Sequence, residues 1–168
     1  MKDLIEDWKQ NAKRKNNENY DFLMWLKIHQ NSDRIDEVSL ETHNEVFSEI
    51  KCTDCANCCK VFSPPVNETD IERISAFLQI SETEFVEKYL KTDDKGRYEM
   101  KALPCPFLKD NKCSIYEIRP IVCQEYPHTN KKDFKQLRFK HIGNTEVCPA
   151  VYHILETMKN KFGWRNQR

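Results

Sequence analysis

Apolar residues recur at helical spacing along most of the chain. Residues 3–30 carry two stripes, Leu4, Ile5, Trp8 and Ala12, then Phe22, Trp25, Leu26 and His29. They predict helix on both sides of a polar stretch, Lys13–Asn19, where a kink is expected. A break is expected at Ser32–Asp36. A second helix should follow through Ile50, with His43, Val46, Phe47 and Ile50 on one face and His43 at the edge of the core. Ser63-Pro64-Pro65 then interrupts regular structure. Thr69-x-x-Glu72 and Ser81-x-x-Glu84 read as two capping boxes. The first opens a helix with Ile71, Ile74 and Leu78 inward, and in the second Ile80 can staple onto Phe85.

The second half alternates more than it repeats. Asp93–Gly96 is a turn, and Arg97–Leu103 suits a short strand. Phe107-Leu108 and Cys113-Ser114-Ile115 flank the polar Lys109–Lys112, which predicts a small hairpin. Phe134–Phe139 is expected as a further strand. Pro149 suits the first position of a closing helix with Val151, Ile154, Leu155, Met158 and Phe162 inward. The expected fold is mainly α: a small irregular helical domain with a cysteine-rich metal-binding knuckle and short β-hairpin elements. Its expected parts are an N-terminal helical segment at 1–50, a cysteine-cluster domain at 51–160 and a tail at 161–168.

Charge and hydropathy narrow the partners. Lys+Arg and Asp+Glu both number 27, so no net field recruits nucleic acid or a membrane surface. The mean hydropathy is −0.80, and no apolar run approaches the ~20 residues of a spanning helix. MKDLIEDWKQNAKRK mixes charges from its second residue and lacks a secretory h-region. A cytoplasmic location is therefore expected, where disulfides are uncommon. The N-terminal helices, with Trp8 and Trp25 as anchors, cover the core or meet a protein partner.

Eight cysteines in such a compartment need an explanation. Cys52, Cys55, Cys58 and Cys59 fall within eight residues, and Cys105, Cys113, Cys123 and Cys148 follow from the C-terminal half. Disulfides or plain apolar packing would suit scattered cysteines, but CxxCxxCC suits thiolates aimed at a metal. Zinc usually takes two ligands from each of two knuckles. A cubane often takes three from one loop and a fourth from a distant Cys-Pro. Cys105-Pro106 and Cys148-Pro149 are such pairs, and they favour an iron–sulfur cluster over zinc. Adjacent side chains tend to diverge, so Cys58 and Cys59 are expected to serve different directions. His128 or His141 could replace a thiolate. The anionic centre needs cations, and Lys51, Lys60, Lys112 and Arg119 flank the cysteines. Arg119 is the candidate cofactor-facing residue, because its planar fork can donate to a sulfur or pin Glu125. With three glycines in the chain, no phosphate-binding loop exists. The CxxxCxxC of the main radical-SAM enzymes is also absent.

CxxCxxCC, Pro-Cys-Pro-Phe-Leu, Cys113-Ser-Ile-Tyr-Glu-Ile-Arg-Pro-Ile-Val-Cys123 and the late Cys148 together resemble the YkgJ-type cysteine-cluster proteins. That family is known as a zinc- or iron-chelating domain. The resemblance spans about residues 52–155 and implies metal chelation by the eight cysteines. A similar cluster in flagellin lysine N-methylase keeps a protein-modifying role in view. Two departures stand out. The glycine that often follows the second cysteine is Ala56 here, which questions a left-handed turn at that position. The arginine that often follows the RPxxC cysteine is Gln124. Three functions remain open: a metal or cluster protein in redox or cluster handling, a zinc-stapled interaction domain, and a metal-dependent modifying enzyme.

Overall fold

The computed structural model describes residues 5–166, so Leu4 of the first stripe and the last two residues of the tail lie outside it. Among the described residues, helices dominate and strands form only two short antiparallel pairs. Packing divides the chain into two units, Met1–Lys51 with Pro127–Arg168, and Cys52–Tyr126.

The first unit is helical. Helix Trp8–Arg14 ends at Lys15, and helix Asn16–His29 begins immediately after it. The expected kink is this junction within the polar stretch. The next break is shorter than expected, because Ser32 already belongs to helix Ser32–Glu49. Asn31 caps that helix by accepting the Asp33 N–H at 2.8 Å. The core joins Phe22, Leu23 and Leu26 to Ile35, Val38, Phe134, Ile154, Leu155 and Met158. The N-terminal helices therefore share their apolar stripe with the closing helix Pro149–Lys161, which Pro149 opens as expected. Lys159 Nζ reinforces this pairing between Glu18 at 2.7 Å and Glu156 at 2.6 Å.

The expected strand at Phe134–Phe139 is absent. Phe134–Leu137 is a 3-10 turn that runs into helix Arg138–Thr145. The buried Phe134, His141 and Thr145 are spaced at helical intervals, whereas a strand would have set Phe134, Gln136 and Arg138 on one face. Asp36 fixes the start of the turn, accepting the N–H groups of Asp133 at 2.9 Å and Phe134 at 3.0 Å.

His141 is fully buried, its ring stacked on Phe134 at 4.0 Å between centroids. Neither ring nitrogen makes a full hydrogen bond. Burial pushes its pKa down from 6.5 to about 4, with His128 and Lys140 adding repulsion and the Phe134 backbone opposing in part. As pH falls below about 6.5 the unfolded chain takes up a proton that the folded chain refuses. The stability of this unit should therefore drop by about 3 kcal/mol in all as pH falls through that window toward the folded value. His43 is shifted down by burial too and acts with the same sign. Urea unfolding at several pH values checks this. The three tryptophans, Trp8, Trp25 and Trp164, all lie in this unit and report on it. His141→Leu should flatten most of the dependence, and an equally steep profile in that variant would refute the assignment.

The second unit packs Ile71 and Ile74 of helix Glu68–Leu78 and Phe85 of helix Glu82–Tyr89 against Val66, Leu90, Met100, Phe107 and Ile115. Ser81 caps as expected, accepting the Glu84 N–H at 3.1 Å. The other cap lies two residues earlier than expected. Asn67, not Thr69, accepts the Asp70 N–H at 2.7 Å. Leu90–Thr92 pairs with Tyr98–Met100, and Leu108–Lys109 with Lys112–Cys113. Asp110 and Asn111 both adopt positive φ between the second pair of strands, the geometry of a primed hairpin turn.

Candidate metal centre

The second unit contains seven of the eight cysteines. The knuckle forms two short helical turns, Cys52–Cys55 and Asn57–Val61, hinged at Ala56. Ala56 is left-handed, with φ 50° and ψ 19°. The turn questioned from the sequence is therefore present, and an alanine bears it. A Cβ in that region costs about 1–2 kcal/mol. Ala56→Gly is expected to stabilise the unit by about 1 kcal/mol, read as a higher urea midpoint. A lower midpoint would refute it.

Six cysteines, Cys52, Cys58, Cys59, Cys105, Cys113 and Cys123, line one cavity of about 120 Å³. Three chain segments supply them. Cys105 is tied to the knuckle through its N–H, which donates to the Cys59 carbonyl at 2.8 Å. The hairpin register pairs Cys113 with Leu108, whose own N–H donates to the Cys105 carbonyl at 2.9 Å. Cys123 lies in the short helix Ile121–Glu125. Phe62, Met100, Phe107, Ile115 and Val122 complete a largely apolar wall. Cys55 does not line the cavity. Cys148 belongs to the other unit, where it precedes the closing helix. His128 and His141 are in that unit as well.

Cys58 and Cys59 do not diverge as expected from strand geometry. Their sulfurs are 4.0 Å apart. The pair sits on a helical turn, where neighbouring side chains are about 100° apart rather than opposed.

Burial dominates the thiol chemistry, pushing Cys52, Cys55, Cys105, Cys113 and Cys123 up, the last to about 12. Cys59 is pushed up first by its contact with Cys58 and then by burial. Without a metal, these six thiols are thus held toward the neutral form. Among the described residues, no three Cys, His, Asp or Glu side chains converge as a ready ion site. The donor set still fits a soft metal, because clustered thiolates suit zinc and iron–sulfur clusters. Rotation of χ1 between staggered wells moves a cysteine sulfur by about 3 Å.

Arg119 lines the cavity, and its charge favours the thiolates of Cys52, Cys113 and Cys123. Its guanidinium stacks on Tyr116 at 3.9 Å from the ring centroid and donates to the Tyr116 carbonyl. Lys60 acts similarly on Cys55 and Cys59. Arg119→Lys keeps the charge but loses the stacked plane. We expect severalfold weaker metal retention against a chelator; unchanged retention would remove Arg119 from the site.

Sequence reasoning missed Asp70 and Arg73. Asp70 is 2% exposed, and its carboxylate accepts the Ile121 N–H at 3.1 Å and 3.3 Å and Arg73 Nη2 at 2.6 Å. Arg73 also donates to the Arg119 carbonyl at 3.1 Å, as Gln124 Nε2 does at 2.7 Å. Pro120, at the cap position of helix Ile121–Glu125, offers no side-chain acceptor, so Asp70 caps that helix from 51 residues away. The Asn67 cap places Asp70 in its first helical turn, but no sequence signal links it to Ile121.

Residues 51–142, more than half of the chain, match the family model described as "CxxCxxCC: Putative zinc- or iron-chelating domain". The chain belongs to this family. Seven cysteines fall inside the match and Cys148 lies outside it. An uncharacterised protein of Methanocaldococcus jannaschii is 32% identical over 82 residues, 46% of this chain and 44% of that protein. The chain thus spans less than half the length of this relative. No solved structure matches. Among the described residues, no helix is long and apolar enough to cross a membrane.

Proposed function

We propose that the Cys52–Tyr126 unit holds iron as an iron–sulfur cluster and serves in redox chemistry or cluster handling. The observation that carries this is the cavity of about 120 Å³ ringed by six cysteines. A single tetrahedral ion draws its sulfurs onto one point at ~2.3 Å, about 3.8 Å from each other, and needs no cavity. The volume far exceeds the 10–15 Å³ or so that one water needs. Sulfurs spread around such a space suit a group of several atoms, each thiolate meeting a different corner. The apolar wall limits solvent access, and that shell helps to set a cluster's potential.

Zinc as a structural staple is the second reading. The 4.0 Å between the Cys58 and Cys59 sulfurs supports it, being close to the edge of a zinc tetrathiolate. Anaerobic purification with metal and sulfide analysis, visible absorption and EPR after reduction separates the two. We expect brown protein with several irons and matching sulfide per chain. Colourless protein with about one zinc and no iron would overturn the cluster in favour of the staple.

A further inference from the structure

We infer that residues 132–140, together with Tyr20, form a binding surface for single-stranded nucleic acid. Lys132, Lys135, Arg138 and Lys140 meet the phosphates, and the rings of Phe139 and Tyr20 receive the bases. The inference is independent of the metal reading, since no cysteine contributes to this surface. Both of its segments belong to the helical unit.

The balanced charge of the whole chain hides a local excess. Residues 131–140 carry five cationic side chains against one carboxylate, Asp133, whereas the chain has 27 of each sign. Lys132 and Lys140 are exposed, and Lys135 and Arg138 are half-buried. Among the described residues, these four make no salt bridge. Other lysines of the unit are neutralised, because Lys15, Lys159 and Lys161 each meet a glutamate. The Asp36 carboxylate is taken up by the N–H groups of Asp133 and Phe134. A cluster of cations without such partners attracts a polyanion.

Two exposed rings make that polyanion a nucleic acid. Phe139 is 58% exposed and Tyr20 43%. Their centroids lie 6.4 Å apart, although the rings come from different helices, Arg138–Thr145 and Asn16–His29. The Arg138 guanidinium lies 4.5 Å from the Phe139 centroid and donates to the Lys135 carbonyl at 3.2 Å. Cations and rings therefore form one surface. Helical spacing explains why it faces outward. His141 and Thr145 are buried and Ile142 packs against the core, which leaves Phe139 and Lys140 on the other side. Gly143 keeps the next turn open, with nothing within 4 Å of where a Cβ would stand. Bases stack on exposed rings whatever their sequence, while cations track the backbone. An anionic membrane fits less well. It needs a continuous apolar face, and Phe139 is the one exposed large apolar side chain of its helix.

The test titrates the full-length protein against fluorescein-labelled oligo-uridine RNA and oligo-thymidine DNA of about twelve nucleotides. Anisotropy is read between about 50 and 200 mM KCl. Both strands should bind with a Kd of about 1–100 μM, the range of sequence-independent binding. Four phosphate contacts give a slope of about −3 in log K against log salt, or about fiftyfold weaker binding across that range. Lys132→Glu combined with Lys140→Glu should weaken binding at least tenfold and halve the slope. Phe139→Ala should weaken it at least fivefold and leave the slope unchanged. These three side chains are exposed, so the urea midpoint of each variant should stay at the wild-type value. No binding of either strand at about 1 mM protein overturns the inference. So does wild-type affinity in Phe139→Ala, a duplex that binds as tightly as the single strands, or poly-glutamate that competes as well as oligo-uridine. Sedimentation with phosphatidylserine–phosphatidylcholine vesicles, without binding of either oligonucleotide, assigns the surface to a membrane and overturns it as well.

Discussion

Removal of metal should loosen residues 52–126 by at least a hundredfold in hydrogen exchange, about 3 kcal/mol. The reason is the size of the core. That unit centres on eight buried apolar side chains, from Val66 to Ile115, and units of this length gain little from a single core. Structural zinc contributes about 10–16 kcal/mol to zinc-finger peptides. The smaller figure expected here reflects the helices Glu68–Leu78 and Glu82–Tyr89, which have their own caps and core and should persist. The protection lost should centre on the knuckle, the Leu108–Cys113 hairpin and the helix Ile121–Glu125. The measurement compares anaerobically loaded protein with the same protein after chelator treatment. Tryptophan emission comes from outside this unit and serves as the internal control. Equal exchange rates in the two forms would show that the thiols hold nothing of structural consequence.

What could be read from the chain depended on the range of each interaction. The Ser81 cap and the Pro149 start are local, and both stand where the pattern put them. The Asn67 cap was missed because Thr69-x-x-Glu72 fitted the same rule two residues later, and one turn of sequence does not separate them. Phe134–Phe139 was misread because six residues are too few to tell alternation from the helical spacing that continues to His141 and Thr145. The partner of the N-terminal stripe was not legible, since Phe22 and Leu26 meet Ile154 and Met158 across more than a hundred residues. Among the cysteines, the CxxCxxCC spacing announced a centre. Which thiols approach one another depends on the left-handed Ala56, where the usual glycine signal is absent.

Asp70 gives the sharpest mutational expectation. Asp70→Ala should destabilise the Cys52–Tyr126 unit by about 3 kcal/mol, because it removes a buried acceptor and leaves both the Ile121 N–H and Arg73 short of a partner. Arg73 is about one-third exposed at 34% against 3% for Asp70. Water can therefore recover part of its loss, which keeps the figure at the low end for a broken buried pair. The effect should reach the metal. Without Asp70, the start of helix Ile121–Glu125 loses its cap, and Cys123 and the Arg119 backbone lose the anchor that places them. We expect at least tenfold poorer metal retention against a competing chelator. Asp70→Asn separates the two contributions, because its amide oxygen can still accept the Ile121 N–H while the charge facing Arg73 is gone. It should retain more metal than Asp70→Ala. A purely structural role predicts that metal retention, measured under conditions where each variant remains folded, matches the wild type in both. Retention that falls in the order wild type, Asp70→Asn, Asp70→Ala identifies Asp70 as the residue that positions Cys123.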